Sequence, residues 1–76
     1  MKVKVVALGD AVVSEKKWED REYTVTEFMA DMGGEFVGFS ISECTKVIKK
    51  GDSIEVNMRR YESIGAMQGK ARGSLV

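Results

Sequence analysis

The chain has few of the side chains that enzymes and metal sites require. It contains no His and a single Cys, Cys44, so a frequent general base and metal ligand is missing and no disulfide can form within the chain. The acidic residues Asp10, Glu19, Asp20 and Asp31 are dispersed, without the spacing of a metal site or of a general acid with its base. We therefore expect no enzymatic activity, no cofactor and no bound metal. Cys44 is interpreted as a small buried residue, and a redox thiol is the alternative.

Cationic and aromatic side chains occur together in two places, the first being Lys16-Lys17-Trp18 with Arg21 and Tyr23. Binding of single-stranded nucleic acid needs planar side chains on which bases stack and cations that contact phosphates. These five residues supply both chemistries within one predicted loop and the strand that follows it. In the alternative interpretation, Trp18 folds back over the end of the core and Tyr23 lies in the interior with its hydroxyl at the surface.

A second cluster combines cations and an aromatic residue across a predicted terminal hairpin: Arg59, Arg60, Tyr61, Lys70 and Arg72. An arginine side chain can both stack on a base and bind a phosphate. The cluster is therefore a second candidate for nucleic-acid contact. The alternative is that its cations pair across the strands with Glu55 and Glu62, which contributes little at an exposed site.

Two phenylalanines are predicted to face away from the core. Phe36 alternates with Phe39 and its apolar neighbours in one strand, and Phe28 stands in the same relation to Val25 in the preceding strand. Exposed aromatic residues on adjacent strands would form a stacking platform. Alternatively, bulges return Phe28 to the core and Phe36 packs at a subunit contact. Phe39 is predicted to lie in the core.

Alternation of apolar and polar residues predicts five strands with one buried face, over residues 2–8, 21–30, 35–42, 53–59 and 70–76. The first strand is expected to bulge near Val6, and either to break or to continue past Gly9 to about Val13. Residues 14–20 have no apolar face and residues 62–69 contain Gly65 and Gly69, so both segments are predicted to be loops.

One short helical turn is expected between the third and fourth strands. Ser42 or Thr45 can cap it, and Gly51 can end it. No linker, repeat or low-complexity tract interrupts the chain. The sequence therefore predicts one all-β domain over residues 1–76, a small barrel of five strands with a single helical turn.

The segment Lys49-Lys50-Gly51-Asp52 leads into Ile54-Glu55-Val56-Asn57-Met58-Arg59-Arg60, after a curled first strand and a hairpin. In this order the chain resembles the OB-fold of single-stranded DNA-binding proteins. In that family a Gly-Asp pair opens the fourth strand and an aromatic residue, here Tyr61, lies near the base of the final hairpin. In size the chain is similar to the small phage and plasmid proteins, of which the filamentous-phage gene V protein is the familiar dimeric example. The resemblance implies a Greek-key barrel that coats single-stranded DNA in DNA replication without reading its sequence.

The overall charge is balanced but unevenly distributed. Twelve basic residues oppose twelve acidic ones, whereas the resembled proteins are positively charged. The first 42 residues carry five basic and eight acidic side chains, and the remaining residues carry seven basic and four acidic side chains. A basic stripe can bind phosphates on a neutral protein, although long-range attraction is then weaker.

A second subunit is expected because a chain of this length buries only about 60% of the surface that its unfolded form exposes. Ile64 and Met67 belong to the apolar segment 64–67 beside Gly65 and Gly69 and are the predicted homodimer contact, with disordered or lattice packing as the alternative. No apolar run approaches the roughly 18 residues of a membrane-spanning helix, and no signal peptide is recognised. A cytoplasmic location is expected, in the bacterial host if the chain is phage-encoded.

Three functions remain open at this point. The first hypothesis is a sequence-independent single-stranded DNA-binding protein, with contacts from the two clusters and from the exposed phenylalanines. The second is a small barrel that serves as a protein–protein interaction or assembly module, which the balanced charge and the apolar segment favour. The third is an RNA-binding barrel.

Overall fold

The structure is a computed structural model that describes residues 1–42, 44, 46–66 and 68–76. These residues form six strands and no helix: β1 (Lys2–Ala7), β2 (Val12–Trp18), β3 (Arg21–Met32), β4 (Glu35–Ser42), β5 (Ser53–Gly65) and β6 (Gln68–Leu75). The all-β prediction is confirmed. The number of described strands exceeds the predicted five because the first strand breaks after Ala7 and resumes at Val12.

All six described strands belong to one sheet, in the order β1-β5-β6-β4-β3-β2. Strand β1 also pairs with β3 through Val6 opposite Asp31 and Ala7 opposite Ala30. Strands β4 and β6 run parallel, and the other described pairs are antiparallel. Strand β2 therefore lies at an edge of the sheet, paired with β3 alone among the described strands.

The core is built from the inward-facing residues of five of these strands. In β4 the apolar residues Val37, Phe39 and Ile41 alternate with smaller or polar ones and are almost fully buried. The remaining buried apolar residues come from β1, β3, β5, β6 and the segment before β5: Val5, Ala7, Phe28, Ala30, Ile48, Ile54, Val56 and Ala71. Burial of one large apolar side chain contributes about 1.5–3 kcal/mol. The core contains few such side chains, so the stability of the fold depends on a small number of them.

The predicted orientation of Phe28 is wrong. Phe28 is 5% exposed and stacks on Phe39, with ring centroids 5.7 Å apart. Because directly opposite residues of an antiparallel pair share a face, the register that puts Phe28 opposite Phe39 turns Thr26, Phe28 and Ala30 inward. Tyr23 therefore points outward, and the alternative that placed it in the interior is also wrong, since it is 42% exposed.

The two predicted loops are largely strands. Strand β2 pairs with β3 from Val12 to Trp18, and the chain turns at Glu19, which has a positive φ of 56°. Strand β5 continues past the predicted end at Arg59 to Gly65 and pairs with β6. Residues 15–18 of β2 and 59–65 of β5 are exposed on both faces, so these segments show no apolar alternation.

The helical turn is not present in the described residues between β4 and β5. Instead, Asp52 accepts a 2.9 Å hydrogen bond from the Lys49 N–H through Oδ2, and the Gly51 N–H donates to the Ala7 carbonyl at 2.8 Å. Gly51 has a φ of 91°, which favours glycine. Ile48 is buried in this segment, so it behaves as a core residue within a connection. Ser42 belongs to β4, and the alternative cap Thr45 lies outside the described residues.

Candidate functional site

An open groove of about 1350 Å³ crosses the outward face of the sheet. Small-molecule pockets typically measure about 300–1,000 Å³, so the groove is large enough for an extended ligand. It is lined mainly by residues of β2, β3, β4, β5 and β6, which include Lys16, Tyr23, Val25, Glu27, Met29, Gly38, Ser40, Ser42, Arg60, Tyr61, Glu62, Lys70 and Arg72.

The groove has a floor without large side chains at its centre. The inward direction of Val37, Phe39 and Ile41 turns the even-numbered residues of β4 outward, and Gly38, Ser40 and Ser42 line the groove. A Cβ on Gly38 would lie 3.5 Å from the Met29 sulfur, which is an ordinary contact. Gly38 is therefore not required by close packing, and its lack of a side chain leaves space above β4.

Arg60 and Arg72 lie directly opposite each other on this face. Strict alternation along β5 would turn Arg60 toward the core, because Arg60 follows the buried Val56 by an even number of residues. A register shift between Met58 and Arg60 prevents this, since a β-bulge adds one residue and re-aims those that follow. The bulge therefore places two cations side by side in the groove, where like charges repel each other in the absence of an anion.

The cations of β6 continue this arrangement across the sheet. In the parallel pair, Lys70 lies opposite Gly38 and Arg72 lies opposite Ser40. Lys70 also lies opposite Glu62 of β5, which is the register that the alternative of cross-strand charge pairing requires for this cation. Glu55 faces Lys4 on β1, outside the groove, and takes no part in the cluster.

The β2–β3 hairpin supplies aromatic residues at the other side of the groove. Lys16 lies opposite Tyr23, and Trp18 lies opposite Arg21, so alternation puts these four side chains on one face of the hairpin. Trp18 is 68% exposed and does not cap the core. Lys17 lies opposite Glu22 on the reverse face, and the structure therefore separates it from the rest of the predicted cluster.

Tyr61 is held in place by two contacts. Its hydroxyl donates a hydrogen bond to Glu35 Oε1, which joins β5 to the beginning of β4. Its ring lies against Gly69, where a Cβ would be 2.9 Å from the ring. The hydrogen bond to Glu35, together with desolvation and the nearby negative charge, raises the pKa of the Tyr61 phenol above its usual value.

Among the other predicted site residues, Phe28 borders the groove, whereas Phe36, Arg59 and Ile64 do not line it. Phe28 is in the core and cannot stack on a base without unfolding. Phe36 is 46% exposed on the outward face of β4, two residues before Gly38. Arg59 is exposed and is the extra residue at the bulge, without a cross-strand partner in the described pairing. Ile64 is 59% exposed near the end of β5, and Met67 lies outside the described residues.

Sequence reasoning missed several residues that line the groove, namely Asp10, Val12, Ser14, Val25, Glu27, Met29, Ser40 and Ser42. None is aromatic or basic, so none carries the usual signature of nucleic-acid contact. Once Val37, Phe39 and Ile41 are assigned to the core, alternation alone identifies Ser40 and Ser42 as outward-facing. Glu27 and Met29 depend on the face of β3, which was assigned incorrectly.

No protein-family model, curated protein or solved structure matches the chain. Within the described residues, no helix has the length and apolar character needed to cross a membrane. The same residues contain no group of three or more His, Cys, Asp or Glu side chains placed to hold a metal ion.

Proposed function

We propose that this protein binds single-stranded DNA in the groove without reading its sequence, on an OB-type barrel. The pairing pattern supports the fold, since β1-β5-β6-β4-β3 forms a ring when the β1–β3 pair is added. The parallel β4–β6 pair among otherwise antiparallel described neighbours fits a five-stranded Greek-key barrel. In this view β1 and β2 together correspond to one long, bent first strand.

The observation that carries the functional proposal is the Arg60–Arg72 pair in the groove. Two directly opposed cations lower the stability of an empty sheet and are neutralised by a bound phosphate. Lys70 lines the same groove two residues before Arg72 on β6, and Lys16 lines it at the opposite side on β2. A chain of phosphates matches cations spread across a groove better than a single small anion does.

The aromatic side of the groove supplies the second requirement for single-strand binding. Tyr23 lines the groove and Trp18 continues the same face of the hairpin. Stacking of a base on an aromatic side chain contributes about 1–3 kcal/mol and tolerates any base. The phosphates at Arg60, Arg72 and Lys70 therefore lie toward β5 and β6, and bases lie toward β2 and β3. Lys16 contacts a further phosphate beside the stacked bases.

A salt titration with a labelled oligo-dT tests the proposal. One phosphate shared by Arg60 and Arg72, and one each at Lys70 and Lys16, give an expected slope of log K against log salt of about −2, at roughly −0.7 per phosphate on single strands. The double variant Arg60→Gln/Arg72→Gln is expected to reduce the magnitude of this slope by about 0.7, because it removes the contact with their shared phosphate. The matched control is Lys2→Gln/Lys4→Gln, which removes the same charge from β1 outside the groove and leaves the slope unchanged.

Three results would contradict the proposal: no binding at low salt, binding that salt does not affect, or equal loss in the two double variants. The first would favour a protein–protein assembly module. Tighter binding of an RNA oligonucleotide of the same length would favour an RNA-binding barrel instead.

We also propose that the chain forms a homodimer through the end of the β5–β6 hairpin. The support is Ile64, an apolar side chain that is 59% exposed at that end. Light scattering should give twice the chain mass of 8.4 kDa at micromolar concentration, and Ile64→Asp should return it to the monomer value. A monomeric parent protein would refute this contact.

A further inference from the structure

Three carboxylates line the groove, which is unexpected for a surface that binds phosphates. They are Asp10, Glu27 and Glu62. Asp10 accepts a 2.9 Å hydrogen bond from the Lys50 N–H through Oδ1, and Glu62 lies opposite Lys70. Asp10 thus has a hydrogen-bond partner within the protein, and Glu62 has a cation as its cross-strand neighbour.

Glu27 differs from the other two because its cross-strand neighbours carry no charge. It lies opposite Val12 on β2 and opposite Ser40 on β4, and its side chain is exposed. A carboxylate in this position repels a phosphate, so it weakens binding unless another part of the ligand contacts it. An ionised carboxylate only accepts hydrogen bonds, and therefore selects a donor.

The register places Glu27 where a base, rather than a phosphate, would lie. Glu27, Ser40 and Arg72 are opposite one another in turn, so they form one row across β3, β4 and β6. Adjacent strands are about 4.8 Å apart, which puts the backbone at Glu27 about 9.6 Å from that at Arg72. When Arg60 and Arg72 hold a phosphate, the base of that nucleotide lies over Ser40 and extends toward Glu27.

We infer that Glu27 is a specificity-determining residue that accepts a hydrogen bond from the exocyclic amino group of a bound base. Cytosine presents such a group at N4, whereas uracil presents a carbonyl oxygen there, which repels a carboxylate. The inference rests on the proposed function and adds a preference for amino-bearing bases over thymine or uracil. Stacking still permits every base to bind, so the preference is one of degree.

The test compares oligo-dC with oligo-dU of equal length at pH 8, where cytosine is neutral. The parent protein is expected to bind oligo-dC at least about fivefold more tightly, which corresponds to roughly 1 kcal/mol. Glu27→Gln should remove this difference, because an amide both donates and accepts. An oligonucleotide of abasic sites measures how much the lost charge alone changes affinity for the phosphates.

The matched control is Glu15→Gln, which removes the same charge from β2. Glu15 lies opposite Thr24 and does not line the groove, so this variant should keep the preference for oligo-dC. Salt-dependent but equal binding of oligo-dC and oligo-dU by the parent would overturn the inference and leave the proposed function intact. A Glu27→Gln variant that gains affinity equally for all three oligonucleotides would also overturn it. Failure of all three to bind at low salt would overturn both proposals.

Discussion

Replacing Gly73 with Ala is expected to destabilise the fold through a collision with the backbone of β5. A Cβ built on Gly73 would lie 2.3 Å from the Asn57 carbonyl oxygen and 3.1 Å from the Met58 Cα. Gly73 is buried and lies opposite both Met58 on β5 and Ile41 on β4. Neither neighbouring strand can move away without disturbing its own pairing.

The expected loss of stability follows from two opposing terms. Overpacking of a buried site costs about 1–3 kcal/mol, and contact with backbone atoms places Gly73→Ala near the upper end. Alanine also lowers the conformational entropy of the unfolded chain, which raises the free energy of unfolding by about 0.4–1 kcal/mol. The net loss is about 2 kcal/mol, equivalent to a fall in Tm of roughly 8–16 °C for a domain of this size.

Thermal and urea unfolding followed by circular dichroism measure this loss, with Gly38→Ala as the matched control. Gly38 also lies within a strand, but its Cβ would make an ordinary 3.5 Å contact with the flexible Met29 side chain. Equal stabilities of the two variants would refute the close approach of β5 and β6 at Gly73. Gly73 lies beside the bulge that turns Arg60 into the groove, so Gly73→Ala should also weaken oligonucleotide binding. A loss of stability without any change in binding would show that the packing at Gly73 does not determine the position of Arg60.

Three further predictions test the packing and the placement of single residues. In a Tyr23→Phe background, the phenol of Tyr61 should titrate above its usual pKa because it donates to Glu35, and Glu35→Gln should lower that pKa, as ultraviolet absorbance would record. Since the raised pKa means that the folded state holds the proton more tightly, this contribution to stability is complete below the unfolded-state pKa and is lost as the pH rises through the folded-state pKa. Phe28→Ala should destabilise the fold by about 3–5 kcal/mol, whereas the exposed Phe36→Ala should cost less than about 1 kcal/mol; similar losses in urea unfolding would contradict the inward position of Phe28. Lys16→Gln should weaken oligo-dT binding more than Lys17→Gln, because Lys17 lies on the reverse face of the hairpin. An equal effect of the two variants in fluorescence titrations would show that DNA does not bind to one face of the hairpin in preference to the other.

The sequence predicted strands well where one face is buried and the other exposed. The predicted third strand, residues 35–42, coincides with β4, because Val37, Phe39 and Ile41 alternate with small or polar residues. The predicted start of the fourth strand at Ser53 is also confirmed. In these segments the burial pattern alone specifies both the strand and its inward face.

The prediction was wrong where pairing, rather than burial, determines the structure. The β2–β3 hairpin extends past the core, and its backbone hydrogen bonds form a ladder that leaves no apolar alternation in the sequence. The face of β3 follows from its register with β4, since Thr26 gave no apolar signal yet lies inward beside Phe28. Likewise, Ile48 is a buried residue in a connection, where periodicity has no meaning.

The candidate site was found in part, for a related reason. Lys16, Tyr23, Arg60, Lys70 and Arg72 were selected by residue type, and all five line the groove. Residue type could not reveal that Arg60 and Arg72 are directly opposed, because that depends on a bulge whose position the alternation does not predict. Nor could it identify Glu27, which belongs to the groove only through the register of β3.

The balanced charge of the chain has a definite consequence for binding if the groove holds DNA. Four groove cations oppose three groove carboxylates, so the field beyond a Debye length of about 8 Å is weak and steering of a distant polyanion is slight. Phosphates must then be attracted at short range by Arg60 and Arg72, and stacking on Tyr23 and Trp18 must supply much of the affinity. The protein should therefore associate more slowly than a strongly basic one, yet retain more of its binding as salt increases. Stopped-flow association rates that fall steeply with salt would contradict the conclusion that stacking and short-range attraction, rather than long-range attraction, supply most of the binding energy.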